Sequence, residues 1–345
     1  KERKIYQVQA PDIGMIFHQA IERFSLRIGR SGYQWRTIPD EIRDHLVEEC
    51  VSSVVLEYNH SVMQDTMRAN YLTEKIMRMT KRTIWALQQQ LKKGDFEPVG
   101  YEVRFTTELE NQQMHLSYGD RGVMSLNGKI DRMDLCEEDD KVYLKIIDYK
   151  SGRTKFDLAS VFHGLQLQLM IYMDGALTVE QNKHKDKDVI PAGVFYYNIK
   201  DPMIQEKIDA DIETVQEKVL KELKMNGLVL KDKELVQKMD SSLVSIPVSF
   251  NKDGSFRKNS SVASKEQFDI LNRYVKTKIS HIRQSIMTGD AQVSPYMLGK
   301  KNACTYCPYS GVCGFDMDIP GYEFRRLKNF TDEELWDAFV KEVDE

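Results

Sequence analysis

No stretch of this 345-residue chain is apolar for the length that a membrane-spanning helix needs, and no charged-then-apolar leader opens it. Cysteine is scarce. There are five, three of them crowded near the C-terminus, which excludes the disulfide framework of a small secreted domain. Positive charge is not in excess either. Lys and Arg number 49 against 53 Asp and Glu, a formal net charge of −4, so the chain as a whole is no basic glove for nucleic acid. Any such contact has to come from a local patch. Internal repeats and low-complexity tracts are absent. These absences lead us to expect a soluble protein from a reducing compartment. The opening "KERKIYQVQAPD" has no Met and suggests a piece of something longer.

What is present is a 41% share of hydrophobic residues, enough for a sizeable core in one large domain or two smaller ones. Residues 10–28 carry a helical stripe of Ile13, Ile16, Phe17, Ala20, Ile21 and Phe24, with Asp12 as the expected cap after Pro11. Two long charged helices are expected over 38–70 and 72–93. Residues 98–109 alternate like a strand, and 122–137 and 141–149 form a hairpin around the acidic turn "EEDD". An apolar helix over 158–179 and a strand over 188–199 follow. The order strand, strand, strand, helix, strand is an α/β core with a mixed sheet flanked by helices. Beyond it we expect a charged helix near 209–225, a mobile loop at 251–264, and a helix over 264–288. A last amphipathic helix spans 331–343, with Thr331 and Glu334 as a capping box.

The chemistry concentrates in "GKIDRMD" (128–134) and "LKIIDYKSG" (144–152). A strand sends residues i and i+2 to one face, so Asp148 and Lys150 point the same way and Tyr149 points opposite. Asp131 and Asp134 face opposite sides. If Asp131 shares the Asp148 face, the hairpin gathers two carboxylates and a lysine at one sheet edge. Magnesium takes such oxygen ligands, and phosphodiester hydrolysis needs a cation to activate water and a positive group to offset phosphate charge. Alone, Asp148 and Lys150 also fit a surface ion pair at a strand end. On the next helix Gln168 and Tyr172 lie four apart on one face, suited to phosphate or base contacts or to a buried polar pair. His18, among apolar neighbours, also fits a satisfied core histidine. Cys304, Cys307 and Cys313 form C-x2-C-x5-C with a Pro and a Gly to turn the chain, the pattern of a zinc or iron–sulfur site. Both metals usually take four protein ligands, and neither Cys50 nor Cys136 is an obvious fourth.

Taken in order, "GMIFH" (14–18), "GKIDRMD", "DYKSG" (148–152) and "LQLQLMIY" (165–172) resemble the four motifs of RecB-type nucleases in the PD-(D/E)XK superfamily. With the cysteine pattern, the chain is most similar to the C-terminal nuclease domain of the B subunits of AddAB-type helicase–nucleases. The resemblance implies a restriction-endonuclease-like core over 1–315 with a helical insertion at about 38–93, a C-terminal iron–sulfur segment, and a tail at 316–345 with a short helix. It implies a magnesium- or manganese-dependent deoxyribonuclease that cuts mainly single-stranded DNA. Such an enzyme works beside an AddA-type helicase–nuclease subunit in the bacterial cytoplasm, processing double-strand ends for recombinational repair.

By position, His18, Asp131, Asp148 and the backbone carbonyl of Tyr149 match the metal ligands. Lys150 matches the catalytic lysine, and Gln168 and Tyr172 match the pair that supports the site and DNA. Cys304, Cys307 and Cys313 match three ligands of a [4Fe–4S] cluster whose fourth cysteine is expected upstream of Lys1. Two other readings belong to different classes. One is a nuclease-inactive DNA-binding or scaffold module; relics of that kind lose the Asp or Lys, and this chain keeps His18, Asp131, Asp148 and Lys150. The other is a free-standing Cas4-like exonuclease, against which the missing upstream cysteine and the non-Met start argue.

Overall fold

The structure is a computed structural model, and it describes residues 8–58, 67–105, 115–117, 123–206 and 210–344. These fall into two compact units. The larger holds the described residues up to Phe156 together with Gln168–Phe268; the smaller holds Asp157–Leu167 and the residues from Asp269 onward.

The larger unit opens with three helices, α1 (Ala10–Ser31), α2 (Asp40–Glu57) and α3 (Met67–Lys92). Strand β1 (Glu97–Phe105) follows, then a small ribbon of β2 (His115–Ser117) and β3 (Val123–Ser125), then β4 (Gly128–Glu137) and β5 (Lys141–Lys150). After α4 (Leu158–Phe162), which belongs to the smaller unit, come α5 (Gln168–Lys183), β6 (Asp188–Asn198), α6 (Ile212–Glu222), β7 (Asn226–Leu230), α7 (Lys233–Met239) and β8 (Val262–Ala263). Helix α8 (Lys265–Met287) starts in the larger unit and runs into the smaller one. That unit continues with β9 (Tyr296–Leu298), β10 (Lys301–Asn302), α9 (Ser310–Cys313), β11 (Arg325–Arg326) and α10 (Asp332–Asp344).

The main sheet has six strands in the order β1-β4-β5-β6-β7-β8. β1, β4 and β5 are antiparallel neighbours, β5 and β6 are parallel, β6 and β7 antiparallel, and β7 and β8 parallel, so the sheet is mixed as expected. β5 and β6 are buried along nearly their whole length, as a central parallel pair covered on both faces must be. The hairpin turn closes where Glu138 N donates to Lys141 O. In α1 the stripe Ile16, Phe17, Ala20, Ile21, Phe24 and Ile28 is fully buried.

Several boundaries differ from the sequence reading. Asp12 is not the N-cap of α1. The cap is Gln9, and Asp12, at N3, accepts from the Gln9 amide at 2.8 Å, one arm of a capping box. α2 stops at Glu57, and residues 67–70 belong to α3, not α2. Part of the strand expected over 98–109, residues 106–109, lies outside the described residues. The strand expected over 122–137 is two, β3 and β4.

The apolar helix expected over 158–179 is also two. Gly164 takes φ +76°, Gly164 N bonds to Val161 O, and Leu165 N bonds to Ser160 O. That is a Schellman stop, for which a glycine in the left-handed region is the cheapest residue. Its consequence is that α5 starts anew at Gln168. Strand β7 and helix α7 were not anticipated, the strand because "NGLVL" is too short to show a period. The stretch 251–264 is hydrogen-bonded through Asn251 N to Ser255 O and Arg257 N to Ser249 O, and it delivers β8 to the sheet edge. The capping box at Thr331 and Glu334 is present, with amide-to-side-chain bonds of 2.9 and 3.3 Å.

Candidate active site

The site is built where β4 and β5 part. Their ladder runs from Glu137↔Val142 to Arg132↔Ile147. One step further the Tyr149 amide donates to the Asp131 carboxylate (Oδ2) at 2.7 Å. A side chain thus takes the place of a ladder bond, while β5 continues beside β6 as far as Lys150↔Asn198. Extending the antiparallel register sets Asp131 opposite Asp148, so the two carboxylates share a face. Both are buried, at 6% and 2% exposure.

Helix α1 brings His18 to this point. Gly14, one turn earlier, permits the approach: a Cβ there would lie 3.0 Å from Ser151 Oγ in the turn after β5. His18 Nδ1 is 3.2 Å from Asp131 Oδ1 and 3.7 Å from Glu102 Oε1. Burial alone would lower the imidazolium's pKa, but hydrogen bonds to Asp131 and Glu102 outweigh it and push the value up to about 10. For Asp148, burial and the neighbouring Asp131 charge raise the carboxyl to about 6, although Lys150 pulls it down. Two carboxylates held this close disfavour joint ionisation unless positive charge arrives.

On the other side Lys150 Nζ lies 2.6 Å from Asp148 Oδ2 and donates to Gln168 Oε1 at 3.0 Å. Gln168 Nε2 then donates to the Tyr172 hydroxyl at 2.9 Å, which lies 3.5 Å from the Lys129 amide. The Tyr196 ring stands beneath the Lys150 ammonium at 5.3 Å. Lys129 ion-pairs with Glu102, and Glu102 meets His18. The contacts therefore close a circuit around one small polar site: Asp148, Lys150, Gln168, Tyr172, Lys129, Glu102, His18, Asp131. All six residues singled out by side chain are in it. Tyr149 points to the other face, packed edge-on against Tyr197 at 6.0 Å.

Sequence reasoning missed Glu102. His18, Glu102 and Asp131 each offer a ligand atom, and these atoms all lie within 4.8 Å of one another. An imidazole with two carboxylates is a donor set that suits a divalent cation. Glu102 lies in β1, between the register pairs Tyr101↔Arg132 and Val103↔Ile130, with φ +50°. A left-handed glutamate inside a strand costs about 1–3 kcal/mol and tends to occur where function needs it. The one sequence signal was a charged residue in "YEVRF" on the same face as Arg104. Its match to Asp131 depends on a cross-strand register that the sequence does not state. Next to the carboxylates lies a cationic row: Arg104 pairs in register with Lys129, and Lys129 stands two residues from Asp131, as Lys150 does from Asp148.

In the smaller unit, Asn302 Oδ1 accepts from the Cys304 and Thr305 amides at 3.0 Å, and Cys307 N turns back onto Cys304 O. The Cys304 thiol is raised by desolvation and by Cys307 and Cys313. Cys50 and Cys136 are buried in α2 and β4.

The chain is similar to the B subunit of the ATP-dependent helicase/deoxyribonuclease of Lachnoclostridium phytofermentans, 38% identical over 355 aligned positions that take in 99% of this chain and 30% of that protein. The B subunits of the same name from Clostridium kluyveri and Clostridium acetobutylicum are each 35% identical, over 100% of this chain and 30% of their own length. The chain thus spans about three tenths of the curated relatives it matches. The family model for the PD-(D/E)XK nuclease superfamily matches residues 1–314. A mixed sheet that splays to seat Asp131, Asp148 and Lys150 beside His18 accords with that match, and the chain belongs to the PD-(D/E)XK nuclease superfamily.

Proposed function

We propose that the chain is the nuclease domain of the B subunit of an ATP-dependent helicase–nuclease, hydrolysing phosphodiester bonds of DNA, mainly single-stranded. The observation that carries this is the circuit that gathers His18, Asp131, Asp148 and Lys150 at one end of the sheet. A scaffold would gain nothing from burying two adjacent carboxylates, whose joint ionisation opposes the fold. His18, Asp131, Asp148 and the Tyr149 carbonyl would hold magnesium or manganese, with Glu102, beside His18 and Asp131, as a further donor. The cation, when bound, offers Lewis acidity to water and to the phosphate. Asp131 is oriented by the Tyr149 amide. Lys150, held by Asp148 and Gln168, places its charge toward the phosphate undergoing attack, and Tyr172 keeps Gln168 in position. Lys129 and Arg104 receive the flanking phosphates. Contacts of this kind go to the backbone and predict little sequence preference. The partner that feeds the strand is an AddA-type helicase–nuclease subunit.

Labelled single-stranded DNA incubated with the chain should be cut in magnesium or manganese and left intact in excess EDTA. The absence of cutting with either cation would overturn the reading.

For the cysteines we propose a [4Fe–4S] cluster on Cys304, Cys307 and Cys313, its fourth cysteine supplied from outside residues 1–345. Three thiolates alone leave one iron open. The 345-residue chain should therefore purify with little iron, and a longer chain that supplies the missing cysteine should carry about four iron atoms and melt higher. Iron and sulfide analysis of both decides it, since full occupancy in the shorter chain would place the fourth ligand within it.

A further inference from the structure

Within the larger unit a cavity of about 590 Å³ lies away from the catalytic circuit, between α2, α3 and α6. Its main wall is one face of α3. Steps of three and four join Arg78 to Lys81 and Arg82, and each of these to Trp85, so their side chains lie along one side of the helix. Arg43 of α2 and Gln216 of α6 close the other sides. We propose that this cavity seats a nucleotide of single-stranded DNA, the base against Trp85 and the adjoining phosphates on Arg78, Lys81 and Arg82. The proposal deepens the nuclease reading and rests on it for the identity of the nucleic acid.

Composition argues first for this occupant. An aromatic face beside several cations is the inventory that holds single strands without regard to sequence, because every base has a π-face and every linkage a charge. Trp85 is half-buried, and the Arg82 guanidinium lies 5.9 Å from its ring centre, which keeps the ring flanked by positive charge. Four cations line the cavity against two carboxylates, Asp44 and Glu74. All four cations have carboxylate partners: Arg43 has Asp40 and Asp44 at 2.7 Å each, Arg78 and Arg82 share Asp201 at 2.6 and 4.0 Å, and Lys81 has Glu48; of these partners only Asp44 lines the cavity. Exposed pairs of this kind contribute little, so a phosphate can replace a carboxylate at small cost. A few hundred cubic ångströms is also the scale of a ligand pocket.

Position argues for the same occupant. Lys150 pairs in register with Asn198, and Ile199 N donates to Lys150 O at 2.8 Å. Asp201 is two residues further on, at most about 7 Å along the chain, and it holds Arg78 at 2.6 Å and Arg82 at 4.0 Å. The rim of the cavity therefore lies at the same end of the sheet as the catalytic lysine. Thr83, on the side of α3 turned away from the cavity wall, lies beside Tyr197 of β6, whereas Tyr196 faces Lys150. A strand that crosses the end of the sheet from the catalytic circuit arrives at the cavity within a few nucleotides.

The test uses the full chain in EDTA with a twelve-residue oligothymidylate. Binding should quench the Trp85 contribution to tryptophan emission, and that change should vanish in Trp85→Phe while affinity is kept. Trp85→Leu, which keeps apolar volume but no extended π-face, should weaken binding about tenfold. Replacing Arg78, Lys81 and Arg82 by Gln should reduce the slope of log affinity against log salt by about two. In magnesium the same triple variant should cut a substrate of three nucleotides at the wild-type rate but show a raised KM on the twelve-residue substrate. Unchanged affinity and salt slope in folded Trp85→Leu and triple variants would overturn the proposal. So would equal competition by polyglutamate of matched charge, which would mark a general anion site. Because the binding measurements in EDTA need no cutting, a failure of the nuclease reading leaves the oligonucleotide arm decisive by itself.

Discussion

Asp148→Ala should lower the rate of cutting about 10³-fold, roughly 4 kcal/mol of transition-state stabilisation, while affinity for single-stranded DNA in EDTA stays within about twofold of wild type. Asp148 is 2% exposed, opposite Asp131, with Lys150 at 2.6 Å. Its removal subtracts one of the carboxylates that would hold the cation and leaves Lys150 anchored only by Gln168. Phosphate contacts further along the strand are untouched. The fold should tolerate the change, because a carboxylate whose ionisation is already disfavoured by burial and by Asp131 is taken away. Asp148→Asn, which keeps shape but not charge, should be nearly as slow. Single-turnover rates beside equilibrium binding make the separation, and wild-type rates in a folded Asp148→Ala variant would show that the site lies elsewhere.

The second large effect concerns the opposite face of the same hairpin. Arg132, Asp134 and Lys145 are 1%, 0% and 4% exposed. Asp134 receives Arg132 Nε at 2.6 Å and Nη2 at 2.9 Å, and Lys145, its register partner on β5, at 3.0 Å. The guanidinium lies over Trp35 and the ammonium over Phe96. Asp134→Ala leaves two buried cations without a counter-ion and should cost about 3–5 kcal/mol. Replacing all three by apolar residues of similar volume should be neutral or stabilising, since the triad's attraction is largely spent on its own desolvation. Burial pushes the Asp134 carboxyl up, but Arg132 and Lys145 together hold it below the ordinary carboxylate range.

A carboxyl depressed in the folded state stabilises above its unfolded value and loses that contribution as pH falls through the folded one. The wild type should therefore lose stability in acid, below about pH 4, more steeply than the apolar triple variant. Urea melts across pH check both statements. A single Asp134→Ala change costing under about 1 kcal/mol would refute the account of the triad.

The sequence by itself determined the order of helices and strands and which neighbouring residues share a face, because these depend on short-range periods, while the candidate site residues as a set came from four motifs in a known order. Alternation put Asp148 and Lys150 together, and a four-residue helical step joined Gln168 to Tyr172. The stop at Gly164 was legible in principle too, since a glycine ending a helix is a local signal. What only the tertiary structure decided was which strands meet and in which register. Glu102 became part of the site through β1's pairing with β4, and the parting of β4 and β5 let Asp131 cap the Tyr149 amide. The wall of Arg78, Lys81, Arg82 and Trp85 was visible only as a charged helix face. It became a cavity when α2 and α6 packed around it, because cross-strand register and helix packing are set by the whole core rather than by any local stretch of chain.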